Sequence, residues 1–111
     1  MANDKKDIME EFIKSYEICA SFINKGKEYK YRIQDINKAL TLLITIINEN
    51  RLSEIPKFYV YNILLFAEVY ARKMPLKSGY GNIKPEMVKL YELLAIIKEL
   101  GISRENSNSR S

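Results

Sequence analysis

The residues best suited to chemistry in this chain are basic and aromatic, and they alternate. Segment 25–32 reads KGKEYKYR and sets Lys25, Lys27, Lys30 and Arg32 among Tyr29 and Tyr31. A second segment, 72–84, carries Arg72, Lys73, Lys77 and Lys84, with Tyr80 between Gly79 and Gly81. Together they hold eight of the eighteen Lys and Arg residues and one acid, Glu28, which leaves ten basic and thirteen acidic residues for the rest of the chain. Lys and Arg displace condensed counterions from phosphates, and an exposed tyrosine ring stacks on an unpaired base. The pattern therefore predicts salt-dependent, largely sequence-independent contact with a nucleic-acid backbone. An anionic membrane surface or an acidic protein could use the same charge, and solvated loops of a basic protein would read alike.

Other chemistry is poorly served. The chain has no His and a single cysteine, Cys19, so an internal disulfide and a multi-cysteine metal site are excluded. With no imidazole to activate it, Cys19 reads as a core thiol on an apolar helix stripe. Gly79-Tyr80-Gly81 lacks the preceding strand and following GK[ST] of a phosphate loop and reads as a turn. Asp4, Asp7, Glu10 and Glu11 cluster where they complement the dipole of a helix start. Glu68 can be held by Arg72 four residues on, or by a lysine of another helix. No acid and base form a plausible catalytic pair, so the expectation is a non-enzyme with no cofactor and no metal.

The elements that must position these residues are helical. The length, 111 residues, suits one domain, and the few Gly and Pro residues fall at element boundaries. Apolar residues at three-and-four spacing predict a first helix over 4–24, capped by Asn3 or Asp4, with Ile8, Phe12, Ile13, Tyr16, Cys19, Ala20 and Ile23 facing inward. A second, over 33–48, buries Ile36, Ala39, Leu40, Leu43, Ile46 and Ile47, with Leu42 and Ile44 widening the face. A third, over 54–74, has Ser53 as N-cap and Pro56 in its first turn. Because FYVYNILLFA is apolar on nearly every side, this helix is expected to be the most enclosed, with Leu65 in the core. A fourth, over 85–100, opens on Pro85 and closes on Gly101, whose neighbour Ile102 can fold back on the last turn.

Four helices on short connections predict an all-α, antiparallel four-helix bundle over 1–102, followed by a tail, 103–111, with nothing apolar to bury and expected to be disordered. In an up-down-up-down bundle the first and third connections share one end, which would gather both basic segments into a pole. The charged N-terminus lacks a secretory apolar run, and no uncharged run exceeds ten residues, half of the roughly 20 that span a bilayer. With one unpaired cysteine, this suits the cytoplasm. Tyrosines on several helix faces leave room for self-association.

Over about 33–100 the order of features resembles the small all-helical subunit of type III-A and related CRISPR effector complexes. The resemblance lies in ILLFAEVYARKM, 63–74, where Tyr70, Ala71 and Arg72 match that family's buried helix ending, and in the following amphipathic helix KLYELLAIIKEL. The chain differs in having no glycine between Tyr70-Ala71 and Arg72. The resemblance implies a non-catalytic subunit of a ribonucleoprotein that stacks along the complex and contacts the backbone of guide or target RNA through basic residues. Small basic bundles of other kinds share the pattern: a bacteriocin immunity protein, or an archaeal or viral DNA-binding bundle.

Overall fold

The computed structural model describes residues 7–24, 33–73 and 84–102. They form four α-helices: α1 (Ile8–Asn24), α2 (Ile33–Asn48), α3 (Lys57–Lys73) and α4 (Pro85–Glu99), with one 3₁₀ turn at Leu52–Glu54. No strand occurs among the described residues, and no helix among them is long and apolar enough to cross a membrane.

Each helix end has a local cause. Asp7 caps α1: its Oδ1 accepts a hydrogen bond from Met9 N at 3.3 Å, while its carbonyl accepts from Glu11 N at 3.1 Å. The expected caps Asn3 and Asp4 lie outside the described residues. Helix α2 ends at Asn50, which adopts the left-handed conformation (φ 61°). Asn50 N donates to Ile47 O (2.9 Å) and Arg51 N to Ile46 O (3.0 Å), the paired bonds of a Schellman stop. Helix α4 ends the same way on Gly101 (φ 87°), with Gly101 N to Lys98 O at 2.9 Å and Ile102 N to Ile97 O at 3.2 Å. Ile102 then packs against the core, as the Gly-Ile pair predicts.

The start of α3 differs from the expectation. Ser53 lies inside the 3₁₀ turn rather than capping a helix, and α3 begins only at Lys57. Pro56 is the reason: the residue before a proline is driven to extended backbone, and Ile55 sits at φ −101°, ψ 130°. A helix cannot run through it. The kink also tucks the Ile55 side chain into the core.

The core is continuous and drawn from all four helices, with Phe12, Ile36, Leu40, Leu43, Ile46, Ile63, Tyr70, Met87, Leu90 and Ile97 all but fully buried. Helix α2 packs on each of the other three, most extensively on α1 and α4, whereas α1 and α4 scarcely touch. The cross-section is a rhombus with α2 and α3 on its short diagonal. Helices α2 and α3 are therefore the two central helices, each packed on the other three. Leu65 is only partly buried, and Phe58 is 54% exposed. Composition alone misleads here, because an apolar helix is buried only as far as it has neighbours.

Three contacts set the helix directions. Arg51, just beyond α2, reaches Asp7 at the start of α1 (3.7 Å), so α1 and α2 run antiparallel. Asn37 Nδ2 donates to Glu86 O at 3.2 Å, which joins the second turn of α2 to the first turn of α4. Tyr91, in the second turn of α4, donates its hydroxyl to Ala71 O near the end of α3 at 3.0 Å. The bundle is antiparallel and up-down-up-down.

Candidate nucleic-acid interface

This topology puts four helix ends together: the last turns of α1 and α3 and the first turns of α2 and α4. Both basic connections therefore leave and re-enter the bundle at the same end. Of the candidate residues, Lys25, Lys27, Tyr29, Lys30, Tyr31, Arg32, Lys77 and Tyr80 lie outside the described residues. Lys73 is the final residue of α3, and its neighbour Arg72 is exposed on the last turn. Lys84 is the N-cap of α4, extended at φ −84°, ψ 118°, as a residue preceding proline must be. Its carbonyl accepts from Met87 N and Val88 N, 3.0 and 3.1 Å away, while its side chain makes no capping bond. It is partly buried, so part of its length lies along the bundle end.

Two features of this end escape the charge pattern of the sequence. The first is the pair of helix N-termini, α2 and α4, whose positive dipole ends are opposed at this same end by the negative dipole ends of α1 and α3. Each N-terminus also has an acid in its first turn, Asp35 on α2 and Glu86 on α4, which partly offsets its charge. The second is Asn37, half buried between them. Its Nδ2 bonds Glu86 O, while its Oδ1 is buried without a hydrogen-bond partner. A single Asn in a helix gives no sequence signal for such a tie.

The opposite end carries a different balance. Arg51 is gripped by Glu54 through Nε to Oε1 (3.2 Å), Nε to Oε2 (3.3 Å) and Nη2 to Oε1 (3.0 Å), and it approaches Glu49 at 3.8 Å and Asp7 at 3.7 Å. Its hydrogen bond to Glu54 holds the guanidinium above its ordinary range, with the charges of Glu54, Asp7 and Glu49 adding to the effect against a partial loss of solvation. Three carboxylates against one cation leave this cluster negative. The described residues thus give the molecule a carboxylate-rich end and, across the bundle, an end that carries Arg72 and Lys84.

Among the described residues no group of three or more Cys, Asp or Glu side chains is placed to hold a metal ion. Cys19 is buried. Glu68 and Lys98 border a groove of about 240 Å³ between α3 and α4, lined otherwise by Leu64, Leu94, Ile97 and Ile102. Comparison with known protein families, with curated proteins and with solved structures finds no match to this chain.

Proposed function

We propose that this protein is a non-catalytic nucleic-acid-binding module that grips an RNA backbone through the end of the bundle where segments 25–32 and 72–84 meet. One observation supports the reading: the Asn37–Glu86 bond joins the starts of α2 and α4 beside the last turn of α3, so the helix ends that flank both basic segments lie at one end of the bundle. Phosphates would meet Lys25, Lys27, Lys30, Arg32, Arg72, Lys73, Lys77 and Lys84, and Tyr29, Tyr31 and Tyr80 would offer stacking faces to unpaired bases. In its specific form the proposal is the role implied by the resemblance, a small subunit of a type III CRISPR ribonucleoprotein working with other subunits in the cytoplasm.

The test is a titration with labelled single-stranded RNA, single-stranded DNA and duplex DNA at about 50 and 200 mM salt. The expected result is binding that falls steeply with salt and favours RNA. Changing Lys30 and Arg32 together to Ala should flatten the log–log salt slope by about 1.4, two contacts at roughly 0.7 each on a single strand, while helicity is kept. Lys57 and Lys98 belong to the far end, in the first turn of α3 and the last turn of α4, and their replacement should change little. Equal binding by the wild type and the double variant would end the proposal.

A further inference from the structure

Tyr91 is an aromatic residue at the basic end that the charge pattern of the sequence passes over. It stands in the second turn of α4, and its hydroxyl donates to Ala71 O near the end of α3 at 3.0 Å. That carbonyl needs a donor from outside its own helix: its regular partner would be the amide of residue 75, and Pro75 has no N–H. The hydroxyl is therefore committed to the end of α3, and the bond fixes the direction of the ring. The ring is not used up in the process, since Tyr91 is 43% exposed. Phe58, also exposed, is at the opposite end of the bundle in the first turn of α3. Cations stand on both sides of Tyr91. Arg72, exposed, follows the residue whose carbonyl Tyr91 holds, and Lys84 is seven residues before Tyr91, about two turns away on the same side of α4. The nearest acids are displaced from this spot. Glu92 is turned about 100° round the helix from Tyr91, and Glu68 borders the groove one turn further from this end of α3, as Lys98 does from α4.

We propose that Tyr91 is a stacking platform on which an unpaired base lies, while Arg72 and Lys84 meet the phosphates to either side. This rests on the reading of the basic end as a nucleic-acid interface and adds to it the form of the ligand, a single strand. In a duplex each base is already paired and stacked between neighbours, so no base face is open to the ring and contact is limited to the backbone. A single strand offers both its phosphates and its base faces. The tethered hydroxyl matters for the energetics: a ring held at its far end has little freedom left to lose when a base arrives, so more of the stacking energy appears as affinity. Every base has a π-face, so the ring selects for strandedness and not for sequence.

The test is fluorescence anisotropy of the full chain with two labelled RNA strands of equal length, one of uridines and one abasic with the same phosphates, at about 50 and 200 mM salt. The wild type should bind the uridine strand about tenfold tighter than the abasic one, the factor expected of a single base–aromatic stack. Tyr91→Leu should weaken binding of the uridine strand by about tenfold, leave the abasic strand as it was, and keep the salt slope, because no phosphate contact is lost. Tyr91→Phe keeps the ring without the hydroxyl and should stay within about threefold of the wild type. Both variants should keep their helical circular dichroism, since the side chain is part-exposed. In the unaltered protein, irradiation with an iodouracil-bearing strand should join a base to Tyr91, read by peptide mass mapping. Equal weakening of both strands by Tyr91→Leu, equal losses in the Leu and Phe variants, or adducts that avoid Tyr91 would each overturn the proposal. Salt-dependent binding that is the same for both strands would refute it and leave the backbone reading standing, whereas no binding of either strand would end both.

Discussion

Single residues explain much of the local structure, and their signals differ in legibility. Gly101 follows an apolar helix and precedes Ile102, so its stop is visible in the sequence, and the structure puts it at φ 87° with open space around a Cβ position. Gly101→Ala should therefore cost about 1 kcal/mol, from left-handed backbone alone, read as a lower chemical-denaturation midpoint. Asn50 makes the same stop for α2 but looks like any polar loop residue beforehand. Arg51 was equally silent. Its bond to Glu54 raises its pKa, so whatever it contributes is fully present below the ordinary arginine value and is lost only as pH rises through the raised one. Since the chain also has no His, the melting temperature should move by less than about 4 °C between pH 6 and pH 7, within the shift expected of 1 kcal/mol in a chain of this size. A larger shift would reveal a titrating group outside this account. Arg51→Ala should lower the melting temperature, and more so in low salt, because it leaves Asp7, Glu49 and Glu54 facing one another.

Helices α1, α2 and α4 were readable from period and punctuation because each buries a single stripe. Helix α3 was readable as a helix packed on several sides, but the outward place of Leu65 was not. Its stretch of Tyr, Val, Phe, Ile and Leu carries apolar residues on both faces, and periodicity cannot say which face has neighbours. The aromatic packing shows how one side is used. Tyr16 of α1 lies edge-on to Tyr59 (ring centroids 4.9 Å apart) and stacks on Phe66 (5.8 Å), while its hydroxyl oxygen accepts from Asn62 Nδ2 at 3.1 Å. Two substitutions separate the faces. Leu43→Ala, at a fully buried site in α2, should cost about 2 to 5 kcal/mol. Leu65→Ala should cost about 1 kcal/mol, because much of that side chain's transfer is never completed. Denaturant titration of the two variants side by side decides it, and equal losses would put Leu65 in the core.

At the scale of the whole molecule the decisive quantity is where charge accumulates. Composition supplies the excess of Lys and Arg and its concentration in 25–32 and 72–84. The all-α class, the number of helices and most of their boundaries also follow from the sequence, because helix period, proline and glycine act over a few residues and need no distant partner. Of the eleven candidate contact residues, Arg72, Lys73 and Lys84 are among the described residues. Tertiary structure alone decided three things: that α2 and α4 start side by side, that α1 and α4 stand apart so that α2 and α3 take the centre, and that Phe58 of α3 is left toward solvent. Each depends on which helices become neighbours. That choice is made by packing between residues far apart in the chain, which a local pattern does not encode.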